Sequence, residues 1–135
     1  GTAFGGAPYD NDQGVGIGGW TGSYYALSRA GGESATGTLT SETFSFGASD
    51  TVSFLIGGWS GVPPASGQWN YVALKRASDD SIIGEKIWAP NVTSTMVERS
   101  FASATNIAEN VYIEVVDNAT GSGYSWISVD DFRIH

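Results

Sequence analysis

The sequence predicts an all-β fold: a single β-sandwich of the jelly-roll kind, with about eight or more short antiparallel strands. Three observations carry this. Turn formers are abundant, with 19 Gly and 4 Pro among 135 residues, while strong helix formers are sparse. Short runs rich in β-branched and aromatic residues recur at spacings of about ten residues, each closed by Gly, Pro, Asn, Asp or Ser. No stretch carries a helical apolar period, and the weak helical candidate over 102–109 lacks an apolar stripe.

Taken in order, residues 1–22 read as a glycine loop. Tyr24–Ser28 is a short strand ended by Ala30-Gly31-Gly32. Thr36–Phe46 ends in an alternation that puts Phe44 and Phe46 on one face. Asp50–Ile56 is a strand that Gly57-Gly58 is expected to stop, and a Gly/Pro/Ser loop follows from Trp59 to Gln68. Trp69–Lys75 is a strand, followed by a turn at Ser78-Asp79-Asp80-Ser81. Ile82–Ala89 and Ser94–Phe101 are strands around Pro90-Asn91, and Asn110–Val116 and Ser125–Ile134 complete the set. There is no linker and no internal repeat, so residues 1–135 are read as one domain.

Composition narrows function. With 41% hydrophobic residues the chain is globular rather than disordered. The net charge is −8, from 14 acidic and 6 basic residues. The basic ones, Arg29, Lys75, Arg76, Lys86, Arg99 and Arg133, are scattered. With no basic stripe to neutralise phosphates, nucleic acid is not an expected partner. Anionic membranes and polyanionic sugars would be repelled, so neutral ligands fit better. The absence of cysteine excludes disulfides and thiolate metal sites. No apolar run approaches the roughly 20 residues that span a bilayer, so no membrane partner is expected. The start at Gly1-Thr2 reads as that of a domain excised from a larger protein. Two glycosylation-acceptor patterns, at Asn91 and Asn118, are expected by chance in so Ser/Thr-rich a chain.

Catalytic machinery is thin. The one histidine, His135, stands at the C-terminal end, native or tag-derived, which excludes a Ser-His-Asp triad and histidine-based metal sites. A carboxylate pair could still be drawn from 14 acidic residues, but a sandwich this small rarely builds a deep pocket. No enzyme is expected. The 17 aromatic residues point instead to binding. A sugar ring packs its C–H face on an indole or phenol while its hydroxyls seek planar polar partners. Trp69 and Trp88 sit inside apolar strands and are read as core. Trp59, Tyr124 and Trp126 adjoin Gly-rich loops and are the stacking candidates. Asn91, Glu98, Arg99, Asp117 and Asn118 are the hydroxyl-binding candidates; Asp117-Asn118 equally suits turn formation.

Six segments occur in a recognisable order: Phe4-Gly5-Gly6-Ala7-Pro8, Ala35–Ser41, Val52–Gly58, Tyr71-Val72-Ala73-Leu74, Val116–Gly121 and Val129-Asp130-Asp131-Phe132. Together they resemble the non-catalytic β-sandwich domains attached to bacterial fructan hydrolases, the family 66 carbohydrate-binding modules and their relatives. The resemblance runs through nearly the whole chain. It implies a sandwich that recognises sugar and holds a covalently linked catalytic domain near its polysaccharide. The 59–68 loop is longer than in that family, and Trp126 stands where related sequences tend to carry a histidine.

A structural calcium ion is the one candidate cofactor, and none is required. Asp10 and Asp12 are spaced ahead of a glycine as in oxygen-ligand loops. Asp130 joins them if the two ends of the domain lie side by side. Phe132 and Ile134 suit one strand face, which would turn Asp130 inward with them unless a bulge intervenes. The reading is therefore a non-catalytic carbohydrate-binding module, monomeric, secreted or cell-surface and bacterial, that docks a polysaccharide-degrading enzyme on its polymer. A structural or adhesive spacer and a small polysaccharide-active enzyme are the alternatives.

Overall fold

A computed structural model describes residues 1, 3–5, 8–11, 13, 16–32, 34–60, 69–103, 108–120 and 125–135. Nine strands lie among them: β1 (Ala26–Leu27), β2 (Gly37–Thr40), β3 (Phe44–Phe46), β4 (Thr51–Trp59), β5 (Asn70–Arg76), β6 (Ile87–Trp88), β7 (Pro90–Ala102), β8 (Glu109–Asp117) and β9 (Ile127–Ile134). They form two antiparallel sheets. Sheet I has the order β1-β9-β4-β7; sheet II has the order β2-β8-β5-β6, with β3 also on β8. The predicted β-sandwich is the observed fold.

The core is the set of inward positions of both sheets. Phe54, Ile56, Ile127 and Val129 of sheet I meet Val72, Leu74, Val111, Ile113 and Val115 of sheet II. Alternation along each strand places these on one face. A second cluster, Ile17, Tyr25, Leu27, Met96 and Trp126, with Tyr9, Trp20 and Leu55 against it, lies outside this core. Leu55 stands between the core residues Phe54 and Ile56 and so points to the outer face of sheet I. The N-terminal segment is folded over that face. Its hold is backbone pairing: Tyr9 and Tyr25 exchange hydrogen bonds of 2.9 and 3.0 Å, and Met96 N donates to Gly18 O at 2.9 Å.

Several boundaries differ from those expected. Gly57-Gly58 does not end β4, because Gly58 takes φ 95° and pairs with both Val92 and Ile127 through a register irregularity. The stretch 36–46 is two strands. Ser41 interrupts it and takes over part of the ladder, its Oγ accepting from Ile113 N at 2.9 Å. Pro90-Asn91 begins β7 instead of forming a turn between strands. Of the weak helical candidate, Ala102 ends β7 and Glu109 begins β8; residues 104–107 lie outside the described residues.

One irregularity redirects side chains. Between the pairs Ser53↔Arg133 and Leu55↔Asp130, β9 has two residues against one of β4. That is a β-bulge, with Asp131 at φ 54°. It reverses the alternation, so Phe132 turns inward and stacks on Phe54 at 5.0 Å between centroids. Asp130 is left on the outer side, the reverse of the orientation expected without a bulge.

Candidate functional site

The topology gathers most of the sequence-predicted ligand residues at one end of the sandwich. The end of β4 (Trp59), the starts of β5 and β7 (Asn70, Asn91), the end of β8 (Asp117, Asn118) and the approach to β9 (Trp126) meet there. Glu98 and Arg99 do not join them: they are exposed midway along β7, opposite Leu55 and Phe54. Tyr124 lies outside the described residues.

At that end the polar residues are largely committed to the scaffold. Asn91, at φ 62°, accepts from Ser60 N at 2.9 Å and from Ser60 Oγ at 3.2 Å. Asn70 Nδ2 donates to the Trp59 carbonyl at 2.8 Å. Asp117 is fully buried, and its Oδ1 accepts from Ala119 N at 3.0 Å. This is the Asx turn that its sequence context also allowed. Asn118 is exposed.

Trp126 corrects the stacking assignment. It is completely buried, packed with Ile17, Tyr25, Leu27 and Met96 beneath the N-terminal segment. Its Nε1 has no hydrogen-bond partner among the described residues. A ring with no accessible face cannot stack on a ligand. Trp59 is half-buried.

The strand tryptophans read as core have the opposite fate. Val72 and Ile87 are paired and face the core, so the adjacent pair Tyr71 and Trp88 faces outward from sheet II. These rings are half-buried and meet edge-to-face, 5.2 Å between centroids. Lys86 Nζ lies 4.3 Å from the Tyr71 ring and 5.5 Å from the Trp88 ring, a cation–π arrangement. Two residues before Tyr71, just ahead of β5, Trp69 is half-buried. Asn118 N donates to Trp69 O at 3.2 Å, which sets exposed Asn118 beside the Trp69 backbone. Tyr71 and Trp88, with Lys86 over them, thus form an aromatic strip on a sheet face, and Trp69 and Asn118 stand at the end of the strand pair that carries it. The Trp-x-Tyr spacing leading into β5 is the sequence signal that points to it.

Further along this face, charged and phenolic groups hold one another. Lys75 Nζ is 3.5 Å from Glu114 Oε1. Burial pulls the Lys75 ammonium down, but hydrogen bonds and charge from Tyr112 and Glu114 together hold it above its usual value. Tyr112 Oη donates to Asp80 Oδ1 at 2.8 Å, which raises the phenol. These groups hold one another on the part of the face beyond the aromatic strip.

For a metal, no group of three His, Asp or Glu side chains comes together among the described residues. Asp130 Oδ2 accepts from Thr21 N at 2.7 Å, and Asp10 Oδ1 accepts from Asn11 Nδ2 at 3.1 Å. Asp12 lies outside the described residues.

The fold is one shared with carbohydrate-binding modules. No protein-family pattern and no curated protein sequence matches the chain, but solved structures do. A family 61 carbohydrate-binding module, solved with β-1,4-galactotriose, aligns over 98% of this chain and 81% of its own, at 12% identity and TM-score 0.56. A family 35 carbohydrate-binding module from an environmental isolate aligns over 100% and 88%, at 12% identity and TM-score 0.52. The K3 adhesin domain of Lys-gingipain from Porphyromonas gingivalis w83 aligns over 87% and 77%, at 13% identity and TM-score 0.52. A Stig cyclase from Fischerella shares the fold as well, at TM-score 0.51. At these identities the likeness is one of fold, and carbohydrate-binding modules, an adhesin and a cyclase all use it.

Proposed function

We propose that this chain is a non-catalytic carbohydrate-binding domain that contacts sugar through the outer face of sheet II. The observation that carries the proposal is the strip of Tyr71 and Trp88 with Lys86 over it, and Trp69 and Asn118 at the end of the same strand pair. Flat rings take the C–H faces of sugar units, and the amide and ammonium groups take hydroxyls. The structural neighbours support a sugar ligand, since two are carbohydrate-binding modules and one was solved with a galactotriose. Within this proposal the domain is secreted, and it keeps a linked polysaccharide-degrading enzyme at its substrate. Affinity is expected in the micromolar-to-millimolar range, because a shallow, hydrated surface leaves little surplus free energy.

Affinity electrophoresis tests this directly. The isolated domain is run through gels containing galactan, levan, inulin, xylan, β-glucan, mannan or pectin, alone and with EDTA. Retardation that Trp88→Ala abolishes supports the site; retardation that Trp88→Ala and Tyr71→Ala both leave intact overturns it. Loss of retardation in EDTA would give calcium near Asp10 and Asp12 a part in the scaffold.

The adhesin neighbour favours a second reading, a protein-adhesive domain. It predicts free migration in every polysaccharide gel.

A further inference from the structure

One side of the sandwich is left open. β1 covers β9 only at Ser128 and Val129, and β2 ends its sheet with no further strand beside it. Between β2 and the far half of β9 lies a cavity of about 370 Å³. Leu39, Phe132 and Ile134 form its rim at 39, 40 and 53% exposure, and the core residues Val52, Ile113 and Val115 lie at its floor. Among the described residues, no charged side chain lines it. The opening thus joins exposed apolar side chains at its rim to core residues at its floor.

We propose that this cavity is a binding site for a neutral apolar small molecule or group, such as an aromatic ring or a short alkyl chain. Its volume falls within the roughly 300–1,000 Å³ of small-molecule pockets. A lining without charge excludes an ionic ligand, and the scarcity of polar groups excludes a free sugar, whose hydroxyls would go unpaired. A strand added from another chain is opposed by the edge itself. Asp131 sits there in the left-handed region and pairs with Arg133 at 2.9 Å. A bulge with charged side chains is how sheet edges are guarded against pairing. The bulge does two things at once: it blocks strand addition and turns Phe132 onto the rim of the cavity. The site is separate from the aromatic strip of sheet II and does not depend on the function assigned to that strip.

The test uses the ¹⁵N-labelled chain and two neutral probes, indole and 1-hexanol. The expected result is saturable shifts at the amides of Leu39, Ile113, Val115 and Ile134. Ile134→Lys and Leu39→Lys place a charge on opposite rims, and each is expected to weaken probe binding at least about tenfold. Native-like spectra identify which variants have kept the fold, and the two positions lie on different sheets, so either one suffices. The proposal is overturned by an absence of saturable shifts, by shifts centred elsewhere, or by equal affinity in a folded variant. A concentration-dependent dimer that protects the same amides would also overturn it, by giving the cavity to a second copy.

Discussion

The two outer faces of this sandwich begin alike and end differently. Each carries aromatic rings on a sheet, yet sheet I buries its set beneath the N-terminal segment, with Trp126 and Tyr25 at 0 and 2% exposure. Sheet II has Tyr71 and Trp88 half-buried, with Lys86 over them. The difference is one of cover. A covered aromatic face is a second core and acts on stability; an open one is a surface that a ligand can use. Aromatic content alone therefore does not locate a binding site in a two-sheet fold.

The comparison breaks first at Trp126. Trp126→Ala is expected to destabilise the domain by about 3–5 kcal/mol, measured by denaturant unfolding. A fully folded variant that has lost only sugar binding would reverse the assignment of the two faces. Gly58→Ala comes next. Its φ of 95° is strained for any side chain, and an added Cβ would strike the Trp126 carbonyl. A loss of about 1–3 kcal/mol is expected in the same measurement. On the open face, Trp88→Ala is expected to cost only about 1 kcal/mol of stability, from its ring and cation contacts. It should weaken polysaccharide retention about tenfold. Calorimetry and gel retardation on one sample sharpen the contrast between the faces.

The smallest effect concerns a turn. Asp79 accepts from Ser81 Oγ and Ser81 N, at 2.7 and 3.0 Å. These bonds hold its carboxyl below the ordinary 3.8. A depressed folded value means stability that is present above the unfolded value and lost as pH falls through the folded one. Asp79→Ala should therefore be slightly less stable than the parent at neutral pH. The deficit should vanish at a pH below the folded value; urea titrations at both conditions measure it.

The all-β class, most of the strands and much of the core were legible because period-two alternation and turn residues are local signals. Phe54, Ile56, Val72 and Leu74 follow from that pattern directly. What alternation cannot say is which outer face another segment will cover. Trp126 is buried only because residues near Ile17 and Tyr25 fold across it, a contact of more than a hundred residues in sequence. Trp69 and Trp88 looked like core for the complementary reason: their strands are apolar, but no second apolar layer among the described residues covers them, and both are half-buried. The bulge at Asp131 was equally silent, since one extra residue puts Asp130 and Phe132 on opposite faces without changing the apolar pattern. Asn118, read as a hydroxyl-binding or turn residue, is exposed. Asp117 kept the turn role that its type also permits.

The order of sheet I, β1-β9-β4-β7, has a consequence for how the domain is made. Its last strand in sequence lies in the interior of the sheet, between one of the earliest and one from mid-chain. A ribosome would have to release β9 before either neighbour could complete its ladder, and until then Val52, Phe54 and Ile56 would lack one flank. Folding of this domain is therefore expected to wait for its last strand, and to be slow for its size, as long-range pairing generally is. A chain shortened by its final eight residues would lose a central strand rather than a fringe.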